Sequence, residues 1–458
     1  MEHSLAAKQI TEGVIWKQLL RFFFPILLGS FFQQMYNTVD TIIVGRVVGT
    51  QALAAVGSSS ALINLINGFF IGLSTGATVI LSQSFGAGDK KGVEQTLHTG
   101  IALSLILGLM TALTGILAGP AILKASRTPE NCLADAATYV RIYFSGAVAS
   151  MLYNMGTGIL RAMGDSKMPT VFLIIACFIN ILMDILLVGI FRLGVAGAAI
   201  ATVLSQSISA VLVLLSLCRL PDETRLRPGK LQIQPRLLRR ILYIGLPAGL
   251  QFITFDLANL LLQSGINSFG DVTVAAWTAF VKTDTIIWLV TGAFGVAITT
   301  FVGQNFGAQK YHRIRQSVRT CMVMGICSVG LLSALELVFR EPILGIYTTD
   351  PEVIRMGAYS MLWIVPMNFM FIPVEVFSGT MRGTGYSIVP TIITCVTVCV
   401  FRVLWLLLVV SRWHTIEVLA ICYPLSWILS ASTFAITYLK GTWLKKRIAE
   451  CGMAPEHP

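Results

Sequence analysis

The sequence predicts an all-α polytopic membrane protein with 12 transmembrane helices in two parallel six-helix repeats. Three observations predict this fold class. The 458-residue chain is 55% hydrophobic and only 12% charged, whereas soluble domains carry about 25% charged residues. It contains twelve apolar stretches long enough to cross a bilayer. Two of its loop motifs also recur later in the chain at one fixed offset.

The twelve apolar stretches fall six in each half, and each meets the length of about 20 mostly apolar residues that a spanning helix needs. They are 18–41, 53–80, 96–119, 133–159, 169–191, 195–217, 240–265, 274–301, 317–339, 356–380, 389–410 and 416–439. They are uniformly apolar, whereas strands of a transmembrane barrel alternate over about 10 residues. The first contains Pro25 and Asp40 and has no small-residue cleavage site, which favours a retained helix over a signal peptide.

Two motifs recur in the second half of the chain, both shifted by the same amount. Residues 160–170 read LRAMGDSKMPT and residues 381–391 read MRGTGYSIVPT, and SQSFGAG at 82–88 matches GQNFGAQ at 303–309. Because each half has an even number of helices, the second copy enters the membrane from the same side as the first, so the repeats are parallel. In so apolar a chain, duplicated halves indicate a transporter whose halves move around a central site.

The longest polar interruption carries three prolines and seven basic residues and lies midway along the chain. We therefore predict an N-terminal lobe over 1–217, a cytoplasmic basic linker over 218–240, a C-terminal lobe over 241–440 and a cytoplasmic tail over 441–458. Each lobe begins with a helix that a proline interrupts, Pro25 in the first and Pro247 in the second.

The basic residues predict the orientation. With the N-terminus in the cytoplasm, the cytoplasmic segments hold 23 Lys and Arg residues and the opposite loops hold 7. Since positive charge concentrates on the cytoplasmic side, we expect a multi-pass protein of the cell membrane with both termini inside. Anionic headgroups then account for the net charge of +11, and a nucleic-acid partner is not expected.

Polar side chains inside the first half point to a cation site. An ionisable group at mid-membrane costs about 2.5–3.5 kcal/mol or more and therefore needs a reason. Asp40 and Asp184 lie within predicted spans, and Tyr36 and Asn180 each precede one of them by four residues, on the same helix face. The neighbouring polar residues are Asn154 and Thr202. Carboxylate, amide and hydroxyl oxygens suit a hard cation such as Na⁺, and a buried carboxyl group can also hold H⁺. The alternative is that the aspartates cap broken helices or bond to neighbouring backbone.

The second half offers another set of ionisable residues. It consists of Asp256, Lys282, Asp284 and Glu375. These side chains are predicted to form one charged cluster with a role in coupling. The alternative is that Lys282 pairs with one of the acids for packing. Glu336 lies near the end of a predicted span and is interpreted as structural.

Four segments of the chain resemble multidrug and toxic compound extrusion (MATE) transporters, and within them the DinF-like branch. They are the loops QSFGAGDKK at 83–91 and GQNFGAQ at 303–309, the segment LRAMGDSKMPT at 160–170, and GVAGAAIAT at 194–202. The resemblance covers all twelve spans. It implies a V-shaped pair of six-helix lobes that export amphipathic, often cationic compounds in exchange for Na⁺ or H⁺.

The resemblance also implies which residues act. The cation site of the family corresponds to Asp40, Asn180, Asp184 and Thr202, with Asn154 and Tyr36 around it and Na⁺ held at Asp40 and Asp184. Bending of the first helix at Pro25 is implied to couple this site to drug release. The NorM-like branch instead places its coupling acids in the C-terminal lobe, and this chain has acids in both places.

Other function classes fit the sequence less well. A lipid-linked sugar flippase or polysaccharide exporter of related architecture is the alternative, but it should present a strongly basic cavity, and only Arg141, Lys282 and Arg402 are basic in the predicted membrane interior, away from the ends of the spans. The chain has neither an H-E-x-x-H motif nor a Walker A sequence. We therefore expect a non-enzymatic monomer in membrane lipid, with small-molecule substrates and with neither ATP nor any cofactor beyond the coupling ion.

Overall fold

The computed structural model describes residues 10–126, 128–221, 223–440 and 442–452, and every regular element assigned within these ranges is helical. The first half forms α1 (Ile15–Ile43), α2 (Thr50–Gly86), α3 (Lys90–Ala125), α4 (Glu130–Ser145), α5 (Ala147–Ala162), α6 (Lys167–Asp184) and α7 (Gly194–Cys218). The chain ends, which we predict to be cytoplasmic, and residue 441 of the predicted tail lie outside the described residues.

The second half repeats this order with more interruptions. It forms α8 (Pro235–Asn267), α9 (Asp271–Gly307), α10 (Tyr311–Val338), α11 (Arg340–Leu344), α12 (Pro351–Ile364), α13 (Phe371–Gly383), α14 (Ile388–Thr394), α15 (Phe401–Trp405), α16 (Ile416–Ala420), α17 (Cys422–Leu439) and α18 (Thr442–Glu450). Four π-helical segments, Val44–Val48, Ile185–Ile190, Cys395–Val400 and Leu406–Val410, and two 3₁₀ segments, Pro228–Lys230 and Val365–Met370, complete the described elements.

Eleven helical stretches among the described residues are long and apolar enough to cross a membrane. They overlap eleven of the predicted spans. The remaining span, 133–159, consists of α4 and α5, which have 16 residues each and meet at Gly146. A Cβ atom on Gly146 would lie 2.8 Å from the Val203 side chain of α7, so glycine permits the close packing at this break. The prediction of twelve membrane-spanning stretches is confirmed.

Outward-facing side chains of these helices are large and apolar. Leu117 is 77% exposed and Leu439 is 80% exposed. Water solvates such apolar surface poorly, whereas lipid hydrocarbon solvates it well. These exposed residues indicate the lipid-facing surface of a membrane protein.

The predicted linker over 218–240 is partly helical. It contains the short segment Pro228–Lys230 and the beginning of α8, which starts at Pro235. Proline is favoured in the first turn of a helix because its missing N–H would have no partner there. The basic residues that follow, Arg236, Arg239 and Arg240, lower the hydropathy without opposing a helix, which is why hydropathy alone starts the span too late.

The duplication is visible in the backbone of the turns. Gly49 and Gly270, which correspond at the offset of the repeated motifs, have φ of 116° and 90°. Gly164 and Gly385 lie within one pair of those motifs and have φ of 89° and 84°. Positive φ favours glycine because it has no Cβ atom, so both copies use the same turn chemistry. The repeated motifs therefore correspond to repeated structure.

Contacts divide the chain into two compact units whose boundaries differ from those of the duplicated halves. The first unit comprises Phe24–Gly249, and the second comprises Ile10–Phe23 and the chain from Leu250 onward. The boundary between units falls inside α1, just before Pro25, and inside α8, two residues after Pro247. The start of each half's first helix therefore belongs to the unit formed by the other half, which hydropathy does not reveal.

In the first unit, α2 and α8 approach each other through glycines spaced four apart. A Cβ atom on Gly72 would lie 2.3 Å from the backbone N of Gly249, and one on Gly76 would lie 2.3 Å from the backbone O of Ile241. A Cβ atom on Gly245 would likewise lie 2.7 Å from the backbone O of Leu73. Small residues at this spacing let helix backbones meet in a membrane, and here they leave no room for a methyl group.

In the second unit, Arg313 of α10 holds the N-terminal segment. Its Nη1 donates to the carbonyl O of Gly13 at 3.0 Å and its Nη2 donates to Oε1 of Gln18 at 3.2 Å. The Ile10 N–H donates to Oε1 of Gln304 at 2.9 Å, and Phe23 stacks on Phe294 with ring centroids 4.2 Å apart. These contacts fix residues 10–23 to the second unit.

Replacing Arg313 by alanine should loosen this segment, because hydrogen bonds to a charged donor contribute about 1.5–3 kcal/mol each. We expect cleavage after Glu12 by a glutamate-specific protease to become severalfold faster, measured by mass spectrometry of the folded protein. Arg236→Ala, which removes an exposed arginine from α8, is the matched control. Equal cleavage rates in the two variants would contradict this role of Arg313.

Candidate functional site

Two buried aspartates in the first unit each lie beside a π-helical segment. Asp40, near the end of α1, is 6% exposed, and Asp184, the last residue of α6, is 0% exposed. The segments Val44–Val48 and Ile185–Ile190 follow them and pack against each other. A π turn breaks the regular i to i−4 bonding and is frequent at functional sites.

The polar atoms of this site lack partners. Within the described residues, Asp40 Oδ1, both carboxylate oxygens of Asp184, and Oδ1 and Nδ2 of Asn180 make no hydrogen bond. Asn180 lies one turn before Asp184 and is 1% exposed. The two aspartates lie within electrostatic range of each other. We call these three residues the Asp40–Asp184 site.

No basic side chain compensates these acids in the part of the chain that the structure describes. Arg141, the one basic residue predicted at mid-depth in the first half, is exposed on α4 and forms no ion pair with either aspartate in that part. An unpaired buried polar group costs about 1–3 kcal/mol, and a charged one costs more. The oxygens of the site therefore fit a cation or a proton.

Aromatic hydroxyl groups surround the site. Tyr36 lies one turn before Asp40 and interacts with it electrostatically. Tyr139 of α4 interacts with both aspartates and stacks on Tyr143 with ring centroids 6.3 Å apart. The amide Nδ2 of Asn67 donates to the Tyr143 hydroxyl O at 2.9 Å.

Three of these residues, Asn67, Tyr139 and Tyr143, were not identified from the sequence. Tyr139 and Tyr143 are four apart and share a helix face, a signal that was available. Their proximity to Asp40 required the fold, because α4 and α1 are separated by two helices in the chain.

The other two residues predicted for this site bond to their own helices. Thr202 Oγ1 donates to the carbonyl O of Ala198 at 3.1 Å, and Asn154 Nδ2 donates to the carbonyl O of Ser150 at 3.0 Å. Thr202 is 4% exposed and Asn154 is half-buried. Among the described residues neither side chain bonds to an aspartate, and their oxygens keep lone pairs for a ligand. Their role in cation binding stays a prediction.

The predicted hinge lies beside a side-chain hydrogen bond to the backbone of α1. Pro25 sits inside this helix, and its carbonyl O accepts a hydrogen bond from Thr170 Oγ1 of α6 at 2.6 Å. Since proline removes one helical hydrogen bond, α1 is weakest at this point. The hinge role of Pro25 stays a prediction.

The four residues predicted for a C-terminal cluster lie in separate environments of the second unit. Asp284 is 4% exposed and accepts from Asn368 Nδ2 at 2.7 Å and from Trp288 Nε1 at 2.6 Å. Glu375 Oε2 lies 3.5 Å from Arg382 Nη2. Lys282 is exposed and Asp256 is half-buried. Lys282 and Asp284 are two apart, which turns them about 200° around a helix, so α9 presents them on opposite faces.

A comparison with protein families matches the MatE family model to residues 25–186 and 247–408, one segment in each half. The chain is 29% identical to "Probable multidrug resistance protein YoeA" of Bacillus subtilis over 98% of each chain. It is 28% identical to "Probable multidrug resistance protein YpnP" of the same organism over 96% of this chain and 98% of the relative.

The fold has solved counterparts. One is an "Outward-facing conformation of a multidrug resistance MATE family transporter of the MOP superfamily", with a TM-score of 0.89, 21% identity, and coverage of 97% of this chain and 100% of that chain. This likeness shows the fold, an all-helical membrane architecture.

Proposed function

Because the chain belongs to the MATE family, we propose that it is an efflux transporter that exports amphipathic, often cationic compounds in exchange for Na⁺ or H⁺. The Asp40–Asp184 site is the observation that carries the proposal. Two buried carboxyl groups and an amide, with no partner for five of their polar atoms in the described chain, are the ligand set that a monovalent cation or a proton needs. Relatives named for multidrug resistance support the substrate class.

The proposed mechanism is alternating access. The transporter binds a compound from the cytoplasm, and a cation that enters from outside loads Asp40 and Asp184 and favours the state that releases the compound. One charge moved through about 150 mV yields about 3.5 kcal/mol, at about 2.3 kcal/mol per 100 mV. That energy sustains a gradient of a few hundredfold.

The proposal also covers the location of the protein, its oligomeric state and its energy source. The protein works in the cell membrane with both termini in the cytoplasm, as a monomer without ATP, enzymatic chemistry or a nucleic-acid partner. The flippase alternative is not favoured. Of the three bases in the predicted membrane interior, Arg141 and Lys282 are exposed, and Arg402, 1% exposed, bonds to Ser426 and Asn259.

The test is export of a fluorescent cationic dye from proteoliposomes that contain the purified protein. An imposed Na⁺ gradient and an imposed H⁺ gradient are each collapsed separately. Export that stops with one gradient and not the other identifies the coupling ion. Export that is indifferent to both gradients would contradict the coupling proposal, and the absence of any dye movement would contradict the substrate class.

Replacing Pro25 by alanine should slow this export severalfold. Alanine restores the missing backbone N–H and removes the steric conflict with the preceding turn, so α1 resists bending. Pro120→Ala, in the last turns of α3, is the control and should leave export unchanged. The measurement is the initial rate of dye export at equal protein density. An unchanged rate in Pro25→Ala would rule out bending at this residue as a controlling step.

A further inference from the structure

An arginine of the repeated motifs lies in the first unit without a counter-charge. Arg161 belongs to the last turn of α5, between Leu160 and Ala162, which are 1% and 0% exposed. Its Nε atom is buried, and its guanidinium forms neither a hydrogen bond nor an ion pair with the part of the chain that the structure describes. The residue as a whole is half-buried. A charge held partly out of water is costly unless acceptors compensate it, so Arg161 presents donors for a ligand.

The second copy of the motif compensates its arginine, whereas the first copy does not. Arg382 corresponds to Arg161 at the offset of the repeats, and its Nη2 lies 3.5 Å from Glu375 Oε2. The same offset places Asn154 where the second copy has Glu375. In both copies the arginine follows this position by seven residues, which is two helical turns on one face. The change from an acid to an amide therefore leaves only Arg161 without its counter-charge.

Two hydroxyl groups share the face of α5 that carries this arginine. Tyr153, Thr157 and Arg161 follow each other at intervals of four residues. The Tyr153 hydroxyl lies beside Thr157 and interacts electrostatically with Arg161. Thr157 is 4% exposed, and its Oγ1 makes no hydrogen bond of normal geometry within the described ranges. Because each hydroxyl carries a proton to donate, this face can add donors to those of the guanidinium.

Helix α2 fixes this face of α5 in place. A Cβ atom on Gly158 would lie 2.3 Å from Thr78 Oγ1 and 3.2 Å from Ser74 Oγ, so glycine lets both hydroxyl groups reach the backbone of α5. Ser74 Oγ donates to the carbonyl O of Asn154 at 3.2 Å, and Thr78 Oγ1 donates to the carbonyl O of Ser74 at 3.0 Å. Since both protons are used, these two residues position α5 and leave ligand binding to its own side chains.

The nearest acid in the sequence does not compensate Arg161. Asp165 follows it by four residues, and its Oδ1 accepts from the N–H groups of Lys167 and Met168 at 3.0 and 3.1 Å. This carboxylate therefore bonds to the start of α6. Asp184, by contrast, lies at the other end of α6, which separates the arginine from the Asp40–Asp184 site by the length of a helix.

We propose that Arg161, with the hydroxyl groups of Tyr153 and Thr157, binds the oxyanion of an amphipathic molecule, a carboxylate or phosphate group on an apolar body. A planar guanidinium can donate two parallel hydrogen bonds to such a group. The buried apolar residues on either side of Arg161 favour an apolar body over a hydrated inorganic anion. A lipid headgroup and a small carried compound share this chemistry. The site goes beyond the proposed exchange of cationic compounds and does not depend on it.

The test is binding of fluorescent probes to the full-length protein, purified in an uncharged detergent. One pair of probes is pyrenebutyrate and its methyl ester, which lacks the charge. The other pair is pyrene-labelled phosphatidic acid and the matching diacylglycerol, which lacks the phosphate. We expect the charged member of at least one pair to bind at least about tenfold more tightly than its partner, and less tightly as salt screens the charge.

The two pairs distinguish the sources of the oxyanion. Preference for pyrenebutyrate over its ester identifies a small compound as the ligand, and preference for phosphatidic acid alone identifies a lipid headgroup. Either result supports the site. No preference for the charged member of either pair would overturn the proposal. Because binding needs no ion gradient, this outcome is independent of the exchange proposed above.

Variants assign the binding to the arginine. Arg161→Gln should weaken binding of the preferred probe by at least about tenfold, because it removes hydrogen bonds from a charged donor. Arg161→Lys keeps the charge but loses the planar fork, so its affinity should lie between the two. Arg219→Gln, which removes an exposed arginine directly after α7, is the matched control and should bind as the unaltered protein does.

A further variant tests the comparison of the two copies. Asn154→Glu supplies the acid that the second copy uses, so it should pair with Arg161 and weaken probe binding about as much as Arg161→Gln does. Size-exclusion profiles and melting midpoints show which variants are folded, and Asn154→Glu provides a reading that retains the arginine. Unchanged probe affinity in folded Arg161→Gln, or in folded Asn154→Glu, would overturn the proposal.

Discussion

Replacing Asp184 by asparagine should reduce gradient-driven export by at least about tenfold while the protein stays folded. The change removes one charged ligand from the Asp40–Asp184 site, and an interaction with a charged group contributes about 1.5–3 kcal/mol, or about 10- to 150-fold in cation affinity. Asparagine has nearly the same volume, and Asp184 has no hydrogen-bond partner among the described residues that the substitution would strand. The measurement is dye export from proteoliposomes at matched protein density.

Asp271→Asn is the matched control for this prediction. Asp271 is an exposed acid in the first turn of α9, so the control removes the same charge without touching a buried site. Counterflow of dye without an ion gradient reports whether the substrate pathway of Asp184→Asn is intact. Full export by folded Asp184→Asn would show that the first-unit acids do not carry coupling.

Replacing Gly72 by alanine should have the largest effect on stability. The added Cβ atom would lie 2.3 Å from the backbone N and 2.4 Å from the Cα atom of Gly249, and a backbone cannot yield as a flexible side chain does. Overpacking typically costs about 1–3 kcal/mol, and more where the contact is rigid. We expect a clearly lower melting midpoint in detergent and a smaller monodisperse fraction.

Gly57→Ala tests the same helix without the clash. Gly57 also lies in α2, and a Cβ atom there meets nothing within 4 Å. Since alanine is favoured over glycine in a helix by about 1 kcal/mol, this control should melt at the same temperature or higher. Equal melting midpoints for the two variants would contradict the packing of α2 on α8.

The sequence is sufficient for the number of spans, because the bilayer demands about 20 apolar residues for each crossing. The sequence does not predict where the helices inside these spans are interrupted. The break between α4 and α5 at Gly146 and the 3₁₀ segment Val365–Met370 depend on neighbouring helices, which hydropathy does not encode. The start of α8 was not predicted because arginines lower the hydropathy of a segment whether that segment is a helix or a loop.

The same distinction applies to the sites. The spacing of Asn180 and Asp184 was enough to place them on one helix face. Nothing local distinguishes Glu336, buried at 6% exposure, from Lys282, which is exposed, because only the packing of α10 on α9 determines which residue faces inward. Sequence spacing thus identified groups within one helix and missed those that different helices bring together.

The π-helical segment after Asp40 marks a difference in length between the two copies. The interval from Pro25 to Gly49 in the first copy is one residue longer than the interval from Pro247 to Gly270 in the second. Both glycines precede the following helix with positive φ. The first copy therefore holds one additional residue within this interval, where Val44–Val48 is π-helical, whereas α8 of the second copy ends as an α-helix at Asn267 and a turn follows.

An additional residue in a helix rotates everything before it by about 100° relative to everything after it. Asp40 lies just before this π-helical segment. Its side chain therefore faces a direction that differs from that of Leu261 or Leu262, the corresponding residue of the second copy. A single-residue insertion thus accounts for the unequal spacing of the repeats, and it lies beside the acid that only the first copy carries. Deleting one residue from Val44–Val48 would restore the register of the second copy and turn Asp40 away from Asp184.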